Sequence, residues 1–427
     1  MSTIPLAGRL AVLTVTAALA GCSPRLAVPT PPAVPLPAPG LYTFDDSRVL
    51  GTADGVEVHE GGLSGLTRLA DGRFLAVTDR GPNVDAATSE GRPAKRFPVP
   101  GYRPSLVLLR FDAAAGGGAI VVTERRPILN PDGGPVSGRP PSADAADGAI
   151  LGGDLVVETA LGPDGARLAP DPWGLDAEGV ADAGDGTVWI CEEYRPSLWR
   201  VDLATGRVLS RVVPQPETAT DAPLPLVFRN RTANLGFEGV AVVQTPQGPR
   251  VVAALQGPLF VPGGAAGTPI TRLVVFDPAS GAAETRAFAL DGPLRRIGDV
   301  AALPDGRVLI IEQGPTTPGG PWGAVIYALD LASGRGVDSG RPPETFASAE
   351  TARAAGVPLI TKTRVADLVA MGWPTDARKP EGLVVVGQRV IVLADNDYGI
   401  AAPASDGVAT ASGRRTVGLV FDLPAAP

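Results

Sequence analysis

The chain has 427 residues, of which 44% are hydrophobic, so it can bury a substantial core in one large or two ordinary domains. Its 54 Gly and 45 Pro point to turns and short strands rather than long helices. A formal net charge of −8 argues against nucleic acid as a main partner.

The first element is a targeting segment. Arg9 precedes an apolar stretch from Leu10 to Ala20, too short to span a bilayer as a mature helix. It ends in Leu19-Ala20-Gly21-Cys22, which resembles a bacterial lipobox. The expectation is a signal peptide over residues 1–22, with Cys22 lipidated as the new N-terminus. Ser23 after the cysteine resembles an outer-membrane address. Residues 23–40 are Pro-rich and read as a semi-rigid tether. The protein is then exported and lipid-anchored at the periplasmic face or outer membrane, touching the membrane only through that anchor. Cys191 is left without a disulfide partner and reads as a core thiol.

From residue 41 to 427 the pattern is β. Phe74 to Thr78, Thr187 to Ile190, Arg250 to Leu255, Arg307 to Ile311 and Arg389 to Leu393 have strand length and β-branched content. Asp71-Gly72, Asp185-Gly186 and Asp305-Gly306 precede three of them, as hairpin turns do. A third apolar run follows in most units, and Ala204 to Gly206, Ala279 to Gly281 and Ala332 to Gly334 turn the chain into a fourth. Strand, hairpin, strand, strand describes a propeller blade.

Glu-Gly recurs ahead of these units at Glu60-Gly61, Glu178-Gly179, Glu238-Gly239 and Glu381-Gly382, with Gly298-Asp299 as a variant. Glu178 and Glu238 stand 60 residues apart, Glu238 and Asp299 61, Asp299 and Glu381 82, and Glu60 and Glu178 118. The larger gaps leave room for an insertion near Arg335 to Val357, and for a degenerate blade or an insertion between Ala113 and Trp173. The reading is an all-β, single propeller of four-stranded blades. Six blades are favoured, with five or seven as alternatives. Leu41 to Phe44 would supply the outer strand of the last blade and close the ring.

Innermost strands line a propeller's channel, so the repeated acids should converge there. Glu60, Glu178, Glu238, Asp299, Glu381, Asp79 and Asp397 are the candidate metal ligands. Hard oxygens at this density suit Ca²⁺, with Mg²⁺ or Mn²⁺ less specifically. Capping of backbone N–H groups is the structural alternative for each acid. Glu60, Glu178, Glu193 and His59 are the candidate catalytic groups, and Arg80, Arg195, Arg103 and Lys379 the candidate anion binders. Salt bridges to channel acids are the plainer reading of each cation. Gly62-Leu63-Ser64-Gly65 is only superficially like a nucleophile elbow, and a turn serine is the reading here.

Gly61 to Leu66 with Val77 to Gly81, Asp176 to Val180 with Cys191 to Pro196, Gly236 to Val240, and Pro380 to Leu383 with Asp395 to Gly399 together resemble the phytase-like family, known for esterase-like activity of phytase. The resemblance implies a β-propeller, hydrolysis of a phosphate or other ester (a lactone included), and metal dependence. The competing expectation is a non-catalytic surface propeller that binds protein, glycan or a small ligand.

Overall fold

The computed structural model describes residues 35–115, 117–142, 149–151, 154–156, 158–402 and 407–423. The signal segment, Cys22 and most of the tether lie outside the described residues. Val34–Pro427 forms one compact unit.

Five four-stranded blades account for the main sheets. Blade I runs Leu63–Arg68, Phe74–Thr78, Ser105–Ala114 and Gly117–Pro127 from the axis outward. Blade II runs Ala177–Asp182, Thr187–Glu192, Ser197–Asp202 and Val208–Val213. Blade III runs Phe237–Thr245, Gly248–Leu255, Ile270–Phe276 and Ala283–Ala289. Blade IV runs Arg296–Ala302, Val308–Gly314, Gly323–Asp330 and Thr361–Asp367. Blade V runs Pro380–Val386, Arg389–Ala394 and Val417–Asp422, and Gly40–Phe44 completes it.

The ring closes as the sequence suggests. Tyr42 pairs with Gly418 in the last blade, and Gly40–Phe44 also runs parallel to the outer strand of blade I. The inner strands touch in the cycle I, II, III, IV, V and back to I. Five apolar layers, one between each pair of neighbouring blades, form the core. Among the described residues the blades number five, one of the alternatives to the favoured six. Among the described residues the stretch between blades I and II makes no sixth blade: its Thr159–Leu161 instead pairs with Pro93–Arg96, on a small sheet beside the main blades.

Central strands are buried on both faces because each blade is packed between two others. Phe74–Thr78 and Thr187–Glu192 are buried throughout. Truncating a residue in these layers, Ile391→Ala for example, should cost about 2–5 kcal/mol. The Asp-Gly hairpins form, though as three-residue loops: Gly72 donates to the Leu69 carbonyl and Leu69 to the Arg73 carbonyl, with Gly72 at φ +89°. The insertion after Asp330 carries the capped helix Ala349–Ala354 and is tied down by a bidentate Arg272–Glu344 pair at 2.5 and 2.6 Å. No helix among the described residues is long and apolar enough to cross a membrane.

Candidate active site

Each inner strand begins with a β-bulge, and the bulge decides which side chain enters the channel. In blades II, III and V the bulged register falls at Glu178-Gly179, Glu238-Gly239 and Glu381-Gly382. The same register in blade IV falls at Gly298-Asp299, so the acid stands where the others have glycine. In blade I it falls at Ser64-Gly65. Glu60-Gly61 is thus not the equivalent of the other pairs. The glycines are needed because the strands converge: a Cβ on Gly179 would lie 2.9 Å from Gly239 Cα, and one on Gly239 would lie 2.7 Å from Asp299 Cα.

A second set of equivalent positions follows the second strand. Asp79, Glu193, Gln256 and Asp395 each donate their backbone N–H to the residue before the inner strand, namely Gly62, Asp176, Gly236 and Lys379. Acids from blades I, II and V and an amide from blade III thus stand around one end of the channel.

Two triads of carboxylates result. Oxygens of Glu178, Glu238 and Glu381 all lie within 4.8 Å of one another, and so do oxygens of Asp176, Glu178 and Glu193. Glu178 belongs to both, and all five acids are buried. Burial, then the neighbouring Asp176 and Glu238 charges, pushes Glu178 well above the usual carboxylate range. Burial and Glu381 do the same to Glu238. Burial raises Glu381 to about 7 against the pull of Lys379, and burial with Asp176 raises Glu193 to about 8 against the pull of Arg80.

The triads differ in what neutralises them. Arg80 Nη2 lies 2.6 Å from Asp176 Oδ2 and 2.9 Å from Glu193 Oε2, and donates to Asn234 Oδ1 at 2.5 Å. Its Nη1 reaches Glu158 at 3.1 Å, and the guanidinium stacks on Tyr194 at 4.9 Å. Lys379 Nζ lies 2.7 Å from both Asp395 and Asp397 and only 3.3 Å from Glu381. Burial pulls Lys379 down, but Asp395 and Glu381 outweigh it and hold its pKa well above the lysine range. Glu238 Oε2, Glu193 Oε1 and Ser64 Oγ are buried without any hydrogen-bond partner. Buried oxygens left this way, among converging carboxylates, fit a hard divalent cation.

Several candidate residues fall elsewhere. Glu60 pairs with Arg125 and, at 3.5 Å, with Arg48, because Glu60-Gly61 precedes the bulge. His59 lies on the hairpin strand Val56–His59, where its Nδ1 meets the Asp46 carbonyl at 3.0 Å and Nε2 lies 3.5 Å from Glu57. Neither contact reaches the triads. Asp299 sits in the channel but accepts the N–H of Val300 at 2.7 Å and of Leu383 at 2.6 Å, so it fastens inner strands together. Burial still raises its pKa well above the usual range. Asp79 accepts Tyr398 O–H at 2.6 Å and Gly81 N–H at 2.8 Å. Asp397 is held by Lys379 and Arg414. Arg103 donates to the Tyr102 carbonyl at 3.2 Å. Arg195 bonds Glu217 at 2.6 Å and lines a small pocket with Arg229 and Arg231.

The Asp395-Asn396-Asp397 cluster proves to be a latch between blades V and I. Buried Asn396 accepts Gly62 N–H at 3.2 Å and Tyr398 N–H at 2.9 Å, and donates to the Glu60 carbonyl at 3.2 Å. Gly61 and Gly62 leave space for it: Cβ atoms there would lie 1.7 Å from Asn396 Oδ1 and 2.1 Å from the Tyr398 hydroxyl oxygen. The far end of the channel is different in kind. Leu66, Val180, Val240, Val300 and Leu383 line a cavity of about 310 Å³ there, together with Thr67, Arg68, Asp182 and Gln244.

A sequence model of the phytase-like family, described as esterase-like activity of phytase, matches residues 58–398. A comparison with curated protein sequences finds no match. Among solved structures, the chain is similar to an exo-beta-1,3-galactanase from Phanerochaete chrysosporium at 8% identity, covering 90% of this chain and 64% of that one, with a TM-score of 0.38. A structure from the GH130 family of mannoside phosphorylases shows 9% identity, 91% and 96% coverage and a TM-score of 0.37. Virginiamycin B lyase from Staphylococcus aureus shows 11% identity, 84% and 94% coverage and a TM-score of 0.31.

Proposed function

We propose that this chain, which belongs to the phytase-like family, is an exported, lipid-anchored hydrolase that cleaves a phosphate or other ester, lactones included, at the acidic end of its channel. The observation that carries the reading is the triad Glu178, Glu238 and Glu381, buried, mutually within 4.8 Å, and lacking a partner at Glu238 Oε2. These three would hold a divalent cation, Ca²⁺ before Mg²⁺ or Mn²⁺. When bound, such an ion polarises the ester and lowers the pKa of water.

The chain's own groups supply the rest. Arg80 fixes Glu193 through Oε2, which leaves Oε1 free to take and return a proton. Lys379 holds Glu381 in place from the opposite side. Arg80 is committed to three acids, so it orders the site rather than clamping substrate. The anionic part of a substrate is assigned to the side of Arg195, where Arg229 and Arg231 also stand.

A screen of phosphomonoesters, carboxylic esters and lactones, with and without chelator, tests this. Turnover that chelation abolishes and Ca²⁺ restores supports it; no turnover together with no bound ion refutes it. The non-catalytic reading keeps one observation of its own, since Arg80 and Lys379 already neutralise part of the cluster. Lipid labelling that survives in wild type and vanishes in Cys22→Ser tests the anchor.

A further inference from the structure

The channel throat has five equivalent places, filled by Ser64, Glu178, Glu238, Gly298 and Glu381. Three carry the carboxylates of one triad and one has no side chain. The fifth, Ser64, is fully buried, and its Oγ has no hydrogen-bond partner. Most buried polar side-chain atoms in folded proteins do have one. The next residue shows how tightly blade I presses on blade II here: a Cβ on Gly65 would lie 2.6 Å from Val180 N and 2.7 Å from Gly179 Cα. That contact brings the Ser64-Gly65 backbone of blade I against the Glu178-Gly179 backbone of blade II.

We infer that Ser64 is a neutral oxygen ligand to the cation of the Glu178, Glu238 and Glu381 triad, completing its shell from blade I. The inference rests on the reading of that triad as a cation site. The chemistry favours a hydroxyl at this place. Three carboxylates already exceed the charge of a divalent ion, so a fourth acid would add repulsion, whereas a hydroxyl adds a hard oxygen without charge. A nucleophilic role fits less well, because an activated serine is hydrogen-bonded to its base and Ser64 Oγ has no hydrogen-bond partner.

The test compares wild type, Ser64→Ala and Ser64→Cys in the full chain. Each is stripped with chelator and titrated with CaCl₂ or CdCl₂ by calorimetry, and its metal-free melting temperature is recorded. Ser64→Ala should weaken Ca²⁺ binding about 10- to 100-fold. Its metal-free melting temperature should stay equal or rise, since a hydroxyl with no partner is removed. Ser64→Cys should shift preference toward Cd²⁺, because a thiol is a soft ligand. Wild type, which keeps Cys191, is the reference for that shift. Unchanged Ca²⁺ affinity in Ser64→Ala with no Cd²⁺ gain in Ser64→Cys overturns the Ser64 assignment and leaves the triad standing. A fall in the metal-free melting temperature of Ser64→Ala assigns Ser64 to structure and also overturns it. Wild type that binds neither ion overturns the triad and this inference together.

Discussion

The two triads share Glu178 and lie at one end of one channel, yet in only one does a cation of the chain bridge two of the acids. Arg80 sits between Asp176 and Glu193 at 2.6 and 2.9 Å. In the other triad Lys379 leans toward Asp395 and Asp397 and reaches Glu381 only at 3.3 Å; Glu238 Oε2 there, like Glu193 Oε1 beside Arg80, has no hydrogen-bond partner. Charge compensation by a side chain fixes geometry permanently. Compensation left to a ligand keeps a site open. The contrast separates an ordering half, built around Arg80, from a binding half, built around Glu238.

The largest expected effect breaks the ordering half. Arg80→Gln strands two buried carboxylates and should lower stability by about 3–5 kcal/mol in denaturant titration. Glu238→Gln should do the reverse in metal-free protein, holding or raising stability, while abolishing ion binding by calorimetry. Equal losses in both variants would erase the distinction between the halves. Next comes Glu193→Gln, which should lower kcat about 10²–10⁴-fold while KM and ion affinity stay near wild type. A change confined to KM would remove Glu193 from proton transfer.

Acidity acts on both halves alike. Glu381 and Glu193, raised to about 7 and about 8, hold more protons folded than unfolded between their ordinary pKa of 4.5 and those values. Stability they contribute is therefore full below about pH 4.5 and is lost as pH rises through 7 to 8. Metal-free protein should melt at lower temperature at pH 8 than at pH 5.5, and bound cation should flatten that slope by displacing the protons. A melting temperature that rises with pH over this range contradicts the raised values. Glu60→Gln is the smallest case. It loses a pairing with Arg125 outside both triads, should cost about 1 kcal/mol, and should leave ion affinity unchanged.

The blades were legible because their signals are local. Asp-Gly turns, β-branched runs and the closing strand at Leu41 to Phe44 each depend on a few adjacent residues. The number of blades was not, since the long stretch before Trp173 could hold a blade or an insertion, and only pairing such as that of Thr159 with Ala94 decides it. The site was legible in part. Glu178, Glu238 and Glu381 converge as their repeat implies. Glu60 misled because a Glu-Gly pair lies just upstream of the true bulge, whose residues in blade I, Ser64-Gly65, carry no acid. Asp299 kept its carboxylate but, one place along, it reaches backbone N–H groups instead of the triad. Asp176 went unassigned, though it stands two residues before Glu178 on the same strand entry. A one-residue offset at a bulge is invisible in composition and decisive in space.

Anomalous diffraction from a crystal soaked in Mn²⁺ addresses the central claim most directly. One peak among Glu178, Glu238 and Glu381, with none between Asp176 and Glu193, is the expected result. A peak in the Arg80 triad, or no peak in the channel, would contradict the division of the site into an ordering half and a binding half.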